Sequence, residues 1–388
     1  MDNEKECMEP TEILSSDGAA SGIEDETAQP IESISQPFDP EKIDVSTRSM
    51  TVDLLLSRIN SGAIDLAPDF QRRAGIWTDV RQSRLIESLL LRIPLPTLYA
   101  AEDEVETWAM VDGIQRLTTI ARFMAPESIR QQRLKLVGLE YLSSEFNGAT
   151  YDDLPPRLKR RLRETELIVH VIRFGTPDEV KFNVFARINT GGMPLSSQEL
   201  RHALIPGKAR EILGLWAGTD EFVHATDGSI KDDRMADREL VLRFIAFRIA
   251  GYDGYSSPDF DDFLRRAMRS LNSLKPDEVR KLRHEFSSSL DAAYHIFGRH
   301  CFRKIYREGA PRYPINKALF DSISVNLAML GDVERARLIK NSKVVVKDYI
   351  QLVNDSGFES SISQGTGNPS KVKYRFSKIA ELFRRHSL

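Results

Sequence analysis

Apolar residues fall at helical spacing over Thr51–Ile59 (Val52, Leu55, Leu56, Ile59), which predicts a short first helix. Ala63–Leu66 then reads as a strand that runs into Pro68–Arg73. A second helical stripe, Leu85, Ile86, Leu89 and Leu90, predicts a helix capped by Thr78 or Asp79 and stopped by Pro94 and Pro96. Leu98–Ala101 and Trp108–Val111 read as two strands joined by the acidic turn Glu102–Glu106. The second strand ends at Asp112-Gly113, where glycine can turn the chain sharply because it accepts positive φ without a Cβ clash. Helical spacing resumes at Leu117, Ile120, Ala121 and Met124. Leu134–Val137 reads as a further strand, and Pro155-Pro156 opens a basic helix over Arg157–Arg163. Leu167–Phe174 is apolar on both faces apart from His170, so it reads as a central strand. Thr176-Pro177-Asp178-Glu179 starts a helix carrying Val180, Val184, Phe185 and Ile188. That helix ends at Asn189-Thr190-Gly191-Gly192, with glycine where a helix C-terminus favours a left-handed residue. A new helix starts at Ser196 or Ser197.

Beyond about residue 206 the pattern is almost wholly helical, most clearly over 240–249, 260–271, 279–297 and 317–329. Residues 363–371 read as a flexible loop, and Lys378–His386 as a basic amphipathic helix. The fold class that follows is α+β: an N-terminal domain over 47–205 with a small mixed sheet, then a mainly α-helical domain over 206–388. Residues 1–46 are rich in Glu, Asp, Ser and Pro and nearly free of aromatics. Such a segment buries too little surface to offset its ordering entropy, so a disordered acidic tail is expected there.

Charge sharpens that division. The tail holds 13 Asp+Glu against 2 Lys+Arg, a net of −11, whereas the rest of the chain is net +8. A moderately basic body could meet nucleic acid or nucleotides, although +8 over so long a stretch is also compatible with ordinary solvated surface. Cys7 and Cys301 are far apart in sequence, which argues against a disulfide framework or thiolate metal cage. No apolar run approaches the roughly 20 residues of a membrane span. The acidic start does not read as a secretory signal, so a cytoplasmic location without membrane contact is expected.

The candidate chemistry gathers at the Asp-Gly turn. A strand that bends through glycine into a helix aims backbone N–H groups at one spot and suits an anion. The same turn carries an acid, Asp112, an amide, Gln115, and a guanidinium, Arg116. Arg116 is suited to bidentate contact with phosphate. Ionised, Asp112 can only accept hydrogen bonds, so beside a phosphate it implies Mg²⁺ as a shared ligand. Gln71 and Arg72 form a candidate second wall, and Asn189, Thr190, Gly191 and Gly192 offer bare backbone for close approach. The P-loop spacing is absent, and no cysteine sits near the Gly/Arg turn.

Several stretches together resemble a known family. They are Pro68-Asp69-Phe70-Gln71-Arg72 with Trp77; Glu87-Ser88-Leu89-Leu90; Ile93-Pro94-Leu95-Pro96; Val111-Asp112-Gly113-Ile114-Gln115-Arg116-Leu117-Thr118-Thr119; and Phe185-Ala186-Arg187-Ile188-Asn189-Thr190-Gly191-Gly192 with Leu195 and Glu199. Their order and spacing resemble the N-terminal domain of GmrSD-type modification-dependent restriction enzymes, within the ParB/sulfiredoxin-like superfamily, over roughly residues 50–205. The resemblance implies NTP binding, usually with hydrolysis, coupled to DNA in bacterial restriction and phage defence. It implies a Mg-dependent NTPase with Asp112, Gln115 and Arg116 as catalytic residues and Asp112 on the metal. Gly113, Gln71, Arg72, Arg187, Asn189, Thr190, Gly191 and Gly192 would bind the nucleotide. Its implied partners are DNA, a separate nuclease subunit and further copies of the chain. Relatives carry Asp-Gly-Gln-Gln-Arg, and Ile114 here replaces the first glutamine. A nucleotide-gated DNA-binding or partner-binding switch without hydrolysis is therefore the alternative expectation. No HNH-like pattern is found, so DNA cleavage by this chain alone is not expected.

Overall fold

The computed structural model describes residues 10–14, 20–25, 43–66, 77–188, 195–230 and 234–387. It divides into two compact units, Gln36–Leu204 and Ile205–Leu388 with Met1–Ser35. Its described strands are β1 Glu12–Leu14, β2 Ala20–Glu24, β3 Val45–Thr51, β4 Ile64–Asp65, β5 Leu98–Glu102, β6 Trp108–Asp112 and β7 Glu166–Ile172. The class is mixed α+β, with a small mixed sheet first and a mainly helical part after it.

In the 36–204 unit the sheet runs in the order β3-β7-β5-β6-β4. β3 pairs antiparallel with β7, and β5 with β6. β5 pairs parallel with β7, and β4 with β6. The helices of this unit are α1 Val52–Asn60, α2 Asp79–Leu90, α3 Ile114–Met124, α4 Ser143–Phe146, α5 Pro156–Glu164, α6 Asp178–Ile188 and α7 Ser197–Leu204. Thr78 caps α2, its hydroxyl accepting from the Arg81 N–H at 3.3 Å. α2 buries Leu85, Ile86, Leu89 and Leu90, the stripe that its spacing predicts. Trp108 is fully buried in β6, with the Arg58 guanidinium 4.2 Å from its ring centre.

Three local expectations change. β3 crosses the boundary placed at 46/47, in the stretch expected to be disordered up to residue 46. Its Ser, Thr and Arg residues show no apolar alternation, and pairing with β7 decides their conformation. β7 is not buried on both faces: Ile168 is 47% exposed while Leu167 and Val169 are buried. The strand lies beside the largely exposed edge strand β3, so one of its faces is open. Leu134–Val137 forms no strand. Leu134 and Leu136 are buried, but the backbone pairing there is local, with Leu136 N–H donating to Ala149 at 2.9 Å.

The other unit contains α8 Lys208–Ala217, α9 Asp220–Thr226, α10 Ala236–Ala250, α11 Phe260–Ser273, α12 Pro276–Phe297, α13 Lys317–Met329, α14 Asp332–Lys340, α15 Ser342–Val353, α16 Ser356–Ser363 and α17 Pro369–Ser387. Its centre includes a buried ion pair: Arg243 Nε and Nη2 donate to the two Asp321 carboxylate oxygens at 2.9 and 2.6 Å. Residues 363–371 are held rather than loose. Arg375 donates to the Thr366 carbonyl at 2.6 Å and the Tyr255 hydroxyl to the Gly367 carbonyl at 2.5 Å.

Part of the acidic tail also belongs to this unit. β1 and β2 pair antiparallel. Ile23 is buried, and the Glu24 N–H donates to Ile315 at 2.8 Å. The Glu24 carboxylate meets the Lys304 ammonium at 2.7 Å with both side chains sealed from solvent. The expectation of disorder over 1–46 is therefore corrected for residues 12–14 and 20–24. Local composition could not report a partner nearly three hundred residues away.

Candidate functional site

The Asp112 turn forms as the sequence predicts. β6 ends at Asp112, Gly113 takes a left-handed φ of +93°, and α3 begins at Ile114. A Cβ on Gly113 would lie 2.2 Å from Leu98 Cδ2, so both conformation and space call for glycine. No side chain among the described residues caps α3, which leaves its first N–H groups to water or a ligand.

The structure brings Asp112 and Arg116 together. Arg116 Nη2 lies 3.1 Å from Asp112 Oδ2, reaching back from the first turn of α3 to the last residue of β6. The guanidinium also donates to the Pro96 carbonyl through Nη1 and to the Thr97 carbonyl through Nη2 at 3.2 Å. Its side chain is only 10% exposed, against 37% for Asp112. Arg116 thus turns inward and ties the turn to the segment entering β5, instead of standing open as an unbound phosphate clamp. Asp112 Oδ1 has no hydrogen-bond partner among the described residues. Gln115 is half-buried in the first turn of α3. Ile114 is only 3% exposed and belongs to the core.

α7 packs against β6 and carries a buried polar row that the sequence reading did not single out. Gln198, Arg201 and His202 are at most 1% exposed, although their polarity suggested a solvated face. Arg201 Nε donates to Gln198 Oε1 at 2.9 Å, and Gln198 Nε2 has no partner among the described residues. Glu199 closes a capping box: the Ser196 N–H donates to its carboxylate at 2.5 Å, and its own N–H donates to the Ser196 hydroxyl at 3.1 Å. The available signal was Glu199 itself, whose place in the family pattern marked this helix.

The remaining sequence candidates are not gathered in this way. Arg187 is exposed in the last turn of α6. Gln71, Arg72, Asn189, Thr190, Gly191 and Gly192 lie outside the described residues. A cavity of about 370 Å³ in the same unit is walled by Leu89, Arg92, Ile93, Leu95, Arg161 and Glu166, among others. Neither Asp112, Gln115 nor Arg116 lines it, although Leu95 adjoins the Pro96 carbonyl that Arg116 holds. Among the described residues no group of three or more His, Cys, Asp or Glu could hold a metal ion. Mg²⁺ does not require such a group, because it is commonly held by one or two carboxylates with substrate phosphates and waters. Nor is any helix among those residues long and apolar enough to cross a membrane.

Known proteins bear on this geometry through one finding. The family model described as the GmrSD restriction endonuclease N-terminal domain matches residues 52–206. No curated protein and no solved structure matches. The matched span contains the whole Asp112 turn, the arginine that ties it down and the α7 helix packed behind it. Over residues 52–206 the chain is similar to the N-terminal domain of the GmrSD restriction endonuclease.

Proposed function

We propose that the chain is a restriction or phage-defence protein whose Asp112 turn binds an NTP with Mg²⁺. The observation that carries the reading is an acid on a left-handed glycine turn at the head of an uncapped helix. The first N–H groups of α3 would take phosphate oxygens, and Gln115 would add an amide donor. Asp112, through Oδ1, would hold Mg²⁺, which supplies charge neutralisation on the phosphates when bound. Arg116 would hold Asp112 in place from behind. It would turn toward phosphate only by giving up its two backbone carbonyls. In the hydrolase form of this reading, purified protein with Mg²⁺ and each NTP, with and without DNA, releases phosphate. Asp112→Asn then abolishes release, and a shared background rate for wild type and variant would contradict hydrolysis.

A second reading rests on Ile114. The side chain at the position of the family glutamine is apolar and buried, so it offers no group to orient an attacking water. Nucleotide would then bind and gate contact with DNA or a partner without turnover. Binding in calorimetry with no phosphate release supports this switch, and rapid multiple turnover excludes it.

A further inference from the structure

The positive charge of the chain is concentrated in its helical part. Residues 205–388 contain 31 Lys+Arg against 24 Asp+Glu, which accounts for most of the excess beyond the tail. Within that part, cations cluster where α14, α15 and α17 meet. α17 packs against both α14 and α15. Arg337 Nη1 donates to the Ser387 carbonyl at 3.0 Å, and Asn341 Nδ2 to the His386 carbonyl at 3.2 Å. These bonds join the C-terminus of α17 to the α14–α15 junction.

Six cations are exposed there: Arg337, Lys340, Lys343, Lys347, Arg384 and Arg385. None forms an ion pair within 4.0 Å among the described residues, whereas the nearby Asp348 is taken by His386 Nε2 at 2.9 Å. Helix dipoles explain Arg337, Lys340, Arg384 and Arg385, which lie in or near the last turns of α14 and α17. They do not explain Lys343. It lies in the first turn of α15, a turn with no acid, where the dipole disfavours a cation. A cation kept at the wrong helix end, among five others left unpaired, suits a polyanion better than it suits stability.

We infer that this surface binds the phosphate backbone of duplex DNA without reading its sequence. The exposed cations are spread over three mutually packed helices, which favours an extended strand of phosphates over a small anion. An anionic membrane would also attract the charge, but it rewards large apolar anchors. The exposed large apolar side chains of α14, α15 and α17 among the described residues are Val333, Val344 and Tyr374, none of them Leu, Phe or Trp. The basic helix α5 is the weaker candidate for the same role, because three of its five cations are engaged, against Arg337 alone of the six here. Arg161 donates to the Leu90 carbonyl, Arg163 to the Tyr151 hydroxyl and Lys159 to the Asp152 carbonyl. The surface is independent of the Asp112 turn, so a failure of nucleotide binding leaves it standing.

The test uses the full chain and a fluorescent duplex of roughly twenty base pairs, read by anisotropy between about 50 and 200 mM salt. Lys343→Gln with Lys347→Gln forms one variant, Arg384→Gln with Arg385→Gln a second, and Arg157→Gln with Arg160→Gln the comparison. Each phosphate contact contributes about 0.9 to the slope of log affinity against log salt, so each C-terminal variant lowers its magnitude by up to about 1.8. Affinity at about 0.1 M salt falls on the order of tens-fold in both, and little in the comparison variant. Matching thermal melts show that the variants are folded. Unchanged slopes in both C-terminal variants overturn the inference. So does binding to phosphatidylserine vesicles without binding to duplex.

Discussion

Gly113→Ala tests how tightly the turn is built. The substitution carries two separable costs. A left-handed backbone at φ +93° disfavours any Cβ by about 1 kcal/mol. The new methyl would also fall 2.2 Å from Leu98 Cδ2, and Leu98 is only 1% exposed, so the core must shift. Overpacking of that kind costs about 1–3 kcal/mol. Gly175→Ala isolates the first cost, because Gly175 has φ +99° and nothing within 4 Å of its ideal Cβ. Trp108, buried in β6 four residues before Asp112, reports unfolding of this unit once Trp216→Phe silences the tryptophan of the other. Denaturant titration in that background should place Gly175→Ala about 1 kcal/mol below the parent and Gly113→Ala about 3 kcal/mol below it. Equal costs for the two alanines would refute the close packing of the turn against β5.

Three further outcomes follow from buried groups. Glu87 accepts the backbone N–H groups of Glu140, Tyr141 and Leu142 at 3.0, 2.7 and 2.8 Å. Burial pushes its pKa up, but those bonds and Arg84 outweigh burial and hold it below the usual carboxylate range. Its contribution is therefore complete above the unfolded value of about 4.3 and is lost as pH falls through the lower folded value. Glu87→Gln should flatten the acid limb of a stability–pH curve, and an unchanged limb would contradict this. Glu24→Ala should cost the helical unit about 1–3 kcal/mol, measured by thermal or denaturant melting, because the buried Lys304 ammonium loses its nearest carboxylate and keeps only Glu359 at 3.5 Å and the Ser363 hydroxyl. Combining it with Lys304→Met should restore much of that stability, which a docked N-terminal strand requires. Burial holds the Cys301 thiol well above its ordinary pKa, so it should resist alkylation until denaturant opens the helical unit.

How much of this was visible in the sequence differs by element. The Trp108–Asp112 strand, its glycine turn and the helix from Ile114 were legible because strand period, turn residue and helix period change within a few residues. The α2 stripe and its Thr78 cap were legible for the same local reason. β3 was not, because it owes its conformation to the distant β7, and neither was β2, whose hairpin with β1 is held by a bridge from Ile23 to the distant Ile315. At the turn, the juxtaposition of Asp112, Gly113 and Arg116 was legible, but the inward turn of Arg116 was not. Nothing in the local pattern announces that the Pro96 and Thr97 carbonyls lie within its reach. The buried polar face of α7 was missed because hydrophobic periodicity assigns Gln, Arg and His to solvent.

The central claim is that the Asp112 turn holds a nucleotide. Calorimetric titration of each NTP with Mg²⁺ into the full chain and into Asp112→Ala tests it most directly. The account predicts a saturable, Mg²⁺-dependent heat for at least one NTP in the wild type and its loss in a variant that melts as the wild type does. No binding by the wild type, or equal binding by both proteins, would contradict it.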